Sequence, residues 1–470
     1  MSKIAKSELC RRIESHFTEY LEAEQYEYLS VNAVGLFTYN RLDLAVKLLY
    51  LQMLLRNTSF AASLYAAHLK ALSLGSFCEP GNDRKSSLEN YVDEFKKILS
   101  SMSARGFDAE TSLVPLAIDG SIANGAHRVA AAYHLGKAVC CVRLKAPSHE
   151  YGYSFFLNRG MSPVEVDVAV SAFVEYAPNT FIALIWPAAV GKQKELDKLF
   201  TRVVYRKSVT LSYNGIHNLI TQVYGDEAWL GKREDNFRGA ANKAASCFKP
   251  PGQLRVVAFQ SDSIDEVREL KEAVRALFRI GKHSVHITDT HQEAVQVSRL
   301  VFNENAVHFL NYARPNRYMS THEKILAFKR FAAKYGFKAN EVLLDSGMVL
   351  SLYGLREARD IDYLAAGDVA GQSGNFSAHD QELRFHGEEK DALIYNPEFH
   401  FYYDGIKFTA FDQLYKMKNN RAEVKDINDL AMMRGLIENR IASLVWARLR
   451  QRVLYWRAKM RRLVVRGLKV

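Results

Sequence analysis

The 470-residue sequence predicts an α/β protein of several domains. Three observations lead there. The length allows two to four domains with their own cores, and a composition of 48% hydrophobic and 24% charged residues is that of ordinary folded chains. Apolar runs of strand character alternate with helical periodicity, most clearly in LRVVAFQ, SIDEVRELKEAVRALFRIG and SVHITD between 254 and 289. A glycine-rich turn, IDGSIANGAHR, leads directly into an Ala-rich helix former and then a strand-like segment, all between 118 and 144.

The elements follow in order. Residues 1–105 read as a mostly helical region, carried by LDLAVKLLYLQMLL and SLENYVDEFKKILSSM. Arg41, Asp43 and His68 read as ordinary helix-face residues or as site residues. The stretch GSFCEPGNDRKSS between these helices reads as a loop, with Asn82, Arg84, Lys85 and Ser86 as groups that suit phosphate.

In the 118–144 stretch, Val129-Ala130-Ala131-Ala132 places Gly125-Ala126-His127-Arg128 at a helix N-terminus. The first N–H groups of a helix lack intrahelical partners, so an anion is favoured there. Gly120 and Gly125 allow close backbone approach, Arg128 can donate to phosphate, and His127 offers a donor or a proton. The other reading is a tight strand-to-helix turn with Arg128 solvated. The run Asp-Gly, Gly-x-His-Arg, small-residue helix, Leu-Gly-Lys and strand resembles the core of the ParB/sulfiredoxin superfamily. That resemblance implies phosphate binding at Asp119, Gly120, Gly125, His127 and Arg128; Asn124 in the same turn and Lys85 in the preceding loop complete the candidate phosphate-binding set. Ala126 stands where sulfiredoxins carry their reactive Cys, so that chemistry is not expected.

Residues 106–250 are assigned to this domain and an extension. FIALIWP reads as a buried strand; YRKSVTLSYNGIHNLITQVYG reads as an extended segment, an Asn-Gly turn and a helix. Lys207, His217, Asn218, Glu227 and Trp229 form either a polar-aromatic ligand cluster or the wet face of a helix. Residues 251–320 read as a small parallel α/β unit. There His286, Asp289, Thr290 and His291 lie at a strand end, where ligands bind, or Thr290 is an N-cap with Glu293 completing the box.

Residues 321–440 carry a second pattern. Asp345-Ser346-Gly347 opens a short helix, and Arg359-Asp360-Ile361-Asp362 follows. In an extended strand Asp360 and Asp362 share a face, a natural place for a divalent cation that also holds phosphate; the alternative is a structural pair with Arg356 or Arg359. FHFYYDGIKFTAF reads as a hairpin on an Asp-Gly turn, followed by a basic stretch and a helix containing Lys425-Asp426. This order resembles the nucleotidyltransferase fold. The resemblance implies Mg²⁺ (or Mn²⁺) at Asp360 and Asp362 as catalytic metal ligands, with Asp404 a candidate third acid. The family's usual Gly-Ser is Asp345-Ser346-Gly347 here.

The net charge of +11 is concentrated in the tail: Arg440 to Val470 holds ten Lys or Arg and no acid, leaving the rest near +1 (11 − 10). Ile441, Val445, Leu449, Val453, Trp456, Met460 and Leu463 form one apolar stripe on that helix. Residues 441–470 are therefore expected to lie on an anionic membrane surface, the other readings being nucleic-acid binding or a helix docked on an acidic partner. Five cysteines without a Cys-x-x-Cys imply neither a disulfide framework nor zinc, and the N-terminus has no apolar signal core. The expected location is cytoplasmic, on the inner face of the plasma membrane.

Together these features are similar to the multidomain transferases of bacterial capsule and O-antigen assembly, within which the chain looks like the ribofuranosyl type. The implied function is a metal-dependent glycosyl or phosphoribosyl transferase. Its partners would be an activated phosphorylated sugar donor, phosphoribosyl pyrophosphate by the resemblance to the ribofuranosyl type, and a lipid-linked glycan acceptor. His127 would be a candidate base. A small-molecule kinase or nucleotidyltransferase, and a ParB-like nucleotide-sensing nucleic-acid-binding protein, are the alternatives; nucleic acid is the less expected partner because only the tail is basic.

Overall fold

The computed structural model describes residues 2–56, 58–78, 85–225, 227–367 and 375–467, without the side chains of 458, 459 and 461–467. Asn82 and Arg84 lie outside the described residues. The chain is α/β throughout, with three mixed or antiparallel sheets. It divides into two units, residues 1–209 with 253–298, and residues 210–252 with 299–470.

In the first unit, β1 (Ser2–Ala5), β2 (Gln25–Asn32), β3 (Val114–Leu116) and β4 (Ala138–Arg143) form a sheet in the order β1-β2-β4-β3. β2 pairs antiparallel with β1 and β4, while β3 runs parallel to β4 with Val114 opposite Cys141. The Ala126–His134 helix makes the crossover between β3 and β4, as parallel pairing requires. The helices Leu42–Met53 and Leu88–Arg105 pack on it. The 1–105 region is thus not wholly helical: its first 32 residues supply two strands to this sheet. β2 is mostly exposed or half-buried on both faces, so its Tyr26/Tyr28 alternation carries little hydrophobic signal.

β5 (Thr180–Ile185), β6 (Val203–Thr210), β7 (Gln253–Gln260) and β8 (Val285–Ile287) form the second sheet, in the order β6-β7-β5-β8. β5, the expected buried strand, is buried at every residue. The parallel unit expected at 251–320 is corrected: β7 and β8 do not pair with each other but flank β5, both antiparallel to it. The Asn-Gly pair at 214–215 is also not a separate turn. Ser212 accepts from the Gly215 N–H at 3.0 Å and caps the Tyr213–Val223 helix, which absorbs both residues.

In the second unit β9 (Val342–Leu344), β10 (Ile361–Ala365), β11 (Phe376–Ala378), β12 (His400–Tyr403) and β13 (Ile406–Thr409) give a five-stranded mixed sheet, ordered β11-β10-β9-β13-β12. β10 is parallel to β11 and antiparallel to β9; β9 is parallel to β13. The β12–β13 hairpin turns on Asp404 (φ 50°) and Gly405 (φ 75°), as the Asp-Gly pair predicts.

The Ile441–Gly467 helix packs on the Val424–Ile437 helix. Its inward face is formed by Ala447, Arg448 and Gln451; the Gln451 Oε1 accepts from Asn428 at 2.8 Å. Ile441, Val445, Trp446, Leu449, Val453, Trp456 and Met460 are exposed. At 3.6 residues per turn this apolar stripe falls on the side opposite the docked face. Leu463 lies outside the described side chains. Among the described residues no helix is long and apolar enough to cross a membrane.

Candidate functional site

The Gly125 turn is built as its sequence requires. Asp119 accepts from the Ser121 N–H at 2.9 Å, the Ser121 hydroxyl at 2.7 Å and Asn40 at 3.1 Å. Although burial opposes it, this hydrogen bonding holds the Asp119 carboxyl below its ordinary range. Asn124 Oδ1 accepts from the Gly125 N–H at 2.5 Å. Gly120 (φ 85°) and Gly125 (φ 92°) take left-handed conformations, and Gly125 is the N-cap of the Ala126–His134 helix, with no side-chain cap. Arg128 folds back over the turn: it donates to Leu113 O at 3.2 Å and to Glu14 Oε1 at 3.0 Å. A Cβ on Gly125 would stand 2.8 Å from Arg128 Nη2. Gly125→Ala should therefore cost about 1–2 kcal/mol from the left-handed backbone alone, and displace the guanidinium; a lowered thermal midpoint checks this.

His127 is buried, with Nε2 2.9 Å from the Tyr65 hydroxyl and its ring against Phe95 at 4.6 Å. Burial first, then Lys47 and Lys85, hold its pKa well below the ordinary value, so the ring is neutral. Lys85 lies with Nζ 5.3 Å from the centre of the Tyr91 ring, which also faces His127. Beside them lie Arg41 and Asp43, for which the sequence allows either a helix-face or a site role, together with Lys47, which it does not single out. Arg41 donates through Nε and Nη2 to the two oxygens of Asp43, each at 2.9 Å, and through Nη1 to the Ile122 carbonyl in the turn. Lys47 Nζ donates to Asp43 at 2.7 Å. All three side chains are buried, so two cations face one carboxylate inside the unit. Burial pulls Lys47 down, with the Asp43 carboxylate opposing. Asp43 is held far below its usual range by the same two cations, against the burial that would raise it. His68, pushed down to about 3 by burial, has a buried Nε2 without a hydrogen-bond partner. Excess positive charge beside an uncapped helix N-terminus favours an anion.

In the second unit, β9 ends at Leu344 and the chain turns through Asp345 and Ser346 (φ 53°) into the Gly347–Leu352 helix. Asp345 is fully buried. Its Oδ2 faces His379 Nδ1 at 2.9 Å and His386 Nε2 at 3.1 Å, and Oδ1 accepts from Thr409 at 2.8 Å. The Asp345 N–H donates to Asp362 O at 2.9 Å. Asp362 Oδ1 is 3.7 Å from His379 Nε2, so one imidazole stands between two carboxylates. Burial raises the Asp362 pKa, Asp360 and Asp345 adding to it, while His379 opposes. His379 is itself raised by both aspartates, against burial. β10 begins at Ile361, so Asp360 precedes the strand and is exposed whereas Asp362 is buried; the two carboxylates are nonetheless near enough for Asp360 to raise the Asp362 pKa.

Neither arginine takes the aspartates as a structural pair. Arg356 makes a bidentate pair with Asp429, at 2.6 and 2.9 Å, and Arg359 lies 3.3 Å from the centre of the Tyr455 ring. Asp404 is corrected as a third acid: it occupies the β12–β13 turn, pairs with Lys329 at 3.0 Å, and belongs to the opposite end of the sheet from β10. The β11 residue opposite Asp362 is Ser377. Among the described residues no group of three or more His, Cys, Asp or Glu is arranged to hold a metal ion. Two carboxylates two residues apart, one exposed and one buried, do suit Mg²⁺, which takes one or two protein carboxylates with water and substrate phosphate completing its shell.

The remaining candidates disperse. Lys207 pairs with Asp167, His217 Nε2 meets Asn236 O at 3.0 Å, and Asn218 donates to Leu310 O and Ala313 O. Thr290 accepts from the Glu293 N–H at 3.1 Å and the Glu293 carboxylate accepts from the Asp289 N–H at 2.7 Å, which is helix capping; the same carboxylate meets His286 at 2.8 Å. His291 faces Val174 O at 2.8 Å. Comparison with family models, curated proteins and solved structures finds no match for the chain.

Proposed function

We propose that the protein is a divalent-cation-dependent transferase using a sugar activated by phosphate, acting on a lipid-linked glycan acceptor at an anionic membrane surface. The observation that carries this is Asp362. It is a buried carboxylate on the strand after a strand–turn–helix, two residues from the exposed Asp360, with His379 Nε2 at 3.7 Å and no arginine pairing with it among the described residues. Asp360 and Asp362 would hold the cation, which when bound neutralises charge developing on a departing phosphate. His379 and Asp345 fix the position of Asp362 from behind. In the other unit, the Ala126–His134 N-terminus and the buried Arg41–Lys47 charge would attract phosphate. His127, neutral and bonded to Tyr65, then serves as a positioning residue for that helix start rather than as the base.

The test is thermal stabilisation by phosphoribosyl pyrophosphate, nucleotide sugars, ATP and CTP, with and without Mg²⁺. A ligand at a hundred times its Kd adds about 2.7 kcal/mol. A Mg²⁺-dependent rise with one sugar donor, lost in Asp362→Asn, is expected. Persistence in that variant would remove the metal role, and a rise with ATP or CTP alone would make the enzyme a nucleotidyl or phosphoryl transferase for a small molecule.

Membrane attachment rests on the exposed stripe of the Ile441–Gly467 helix and the ten cations between Arg440 and Val470. Val445→Glu with Trp456→Glu should cut sedimentation with anionic vesicles at least tenfold while leaving the thermal midpoint unchanged, because both side chains are exposed.

A further inference from the structure

Four arginines of the second unit come together without an acid. Arg314 and Arg317 sit three apart on the turn containing the short helix Pro315–Arg317, the Arg317 N–H donating to Arg314 O at 3.1 Å. Arg448 and Arg452 sit four apart on the Ile441–Gly467 helix, a spacing that puts them on one face. The two pairs meet at Gly354. Its left-handed backbone (φ 71°) is approached so closely that a Cβ would stand 3.0 Å from Arg314 Cβ and 3.2 Å from Arg317 Cδ. Its carbonyl accepts from Arg448 Nη2 at 3.1 Å, while Arg448 Nε donates to Leu355 O at 2.7 Å.

Arg448 is buried; the other three are exposed. Burial lowers the Arg448 pKa first, and Arg317, Arg452 and Arg314 each lower it further. No carboxylate among the described residues pairs with any of the four. Arg448 commits two of its five N–H groups to the two carbonyls. Among the described residues no hydrogen-bond acceptor meets the remaining donors or the guanidinia of Arg314, Arg317 and Arg452; Arg317 lies 5.9 Å from the centre of the Tyr318 ring. With no acid paired to this group among the described residues, its positive charge is left to an anion from outside.

We propose that Arg314, Arg317, Arg448 and Arg452 form a binding site for a diphosphate-type anion. The site is independent of the proposed cation site, lying beyond the C-terminal end of the Gly347–Leu352 helix whose N-terminal end follows Asp345. A diphosphate matches the charge better than a single phosphate, and its two groups can each take a bidentate fork. Such a group is found free in solution or as a lipid headgroup. The same helix that carries Arg448 and Arg452 exposes Leu449 and Val453 beside them.

The test titrates inorganic pyrophosphate into the full chain in the presence of EDTA, followed by calorimetry. Saturable binding is expected, weakened at least tenfold in Arg314→Gln/Arg317→Gln and in Arg452→Gln. It should change less than twofold in Arg450→Gln/Arg457→Gln, which removes two exposed charges from the same helix. Equal loss in both double variants would reduce the effect to general charge and overturn the site, as would the absence of saturable binding to the wild type. In a second arm, the protein is sedimented with phosphatidylcholine vesicles containing a lipid diphosphate (a diacylglycerol or polyprenyl diphosphate). Release by pyrophosphate that is absent in Arg314→Gln/Arg317→Gln assigns the site to a headgroup; vesicle binding indifferent to pyrophosphate assigns it to a soluble diphosphate.

Discussion

Asp43→Asn should destabilise the protein by about 3–5 kcal/mol, the range for breaking a buried ion pair from one side. The Asp43 carboxylate is 1% exposed and Arg41 and Lys47 are each 2% exposed, so neither cation can turn to water when its partner is lost. The loss reaches further than the Leu42–Met53 helix, because Arg41 also donates to Ile122 O in the turn that leads to Gly125. Denaturant unfolding at pH 7 measures the effect. Adding Lys47→Met to the variant should recover part of the loss by removing one stranded charge. The pH dependence has a definite sign. Asp43 has a depressed folded pKa, so its contribution is present above the unfolded value near 4 and is lost as pH falls toward the folded value. The gap between wild type and variant should close on acidification below pH 4; a gap that widened there would exclude the ion-pair origin.

Asp345→Ala should have a comparable effect in the second unit, again about 3–5 kcal/mol. Three side chains aim donors at this one carboxylate, His379, His386 and Thr409, and His386 and Thr409 are fully buried. Removing the acceptor leaves them unsatisfied and releases His379 from its place beside Asp362. Asp345→Asn keeps the size and one acceptor oxygen, so it should retain more stability than the alanine variant while still disturbing His379. Thermal unfolding of the pair, with Asp362→Asn alongside, separates the scaffold from the proposed cation site: Asp362→Asn should abolish Mg²⁺-dependent ligand binding with a smaller change in stability.

What the sequence makes legible here is local. The Ala126–His134 helix, the β12–β13 hairpin and the short helix after Ser346 are each determined by a few adjacent residues with distinctive backbone preferences, and each forms where those residues predict. Pairing between distant segments is different. Nothing within 251–289 signals that β5 inserts between β7 and β8, because an apolar strand is equally suited to either neighbour. β1 and β2 escape notice for a related reason: β1 is a short edge strand and β2, though paired on both sides, has no buried residue, so neither shows much hydrophobic contrast.

The site residues follow the same division. Asp345 and Asp362 stand out by their motif, but His379, His386 and Thr409 reach Asp345 from 34, 41 and 64 residues away. Arg41, Asp43 and Lys47 are close in sequence, and the i,i+4 spacing of Asp43 and Lys47 is visible in it. Their burial is not, because charged residues of this spacing normally face water. Arg128 shows the converse: the motif marks it for phosphate, while Glu14, 114 positions earlier, already accepts from it.

The division of the chain bears on how the protein is made. It crosses from one unit to the other after residues 209, 252 and 298, so neither unit is a single continuous segment. At ribosomal rates of about 5–20 residues per second, the first unit cannot close its second sheet until β8, ending at Ile287, has emerged. Residues 210–252 meanwhile wait for partners that begin only at 299. Synthesis therefore passes through a stage in which two incomplete bodies share one nascent chain, and a fragment ending at residue 250 would release the first of them without two strands of its sheet.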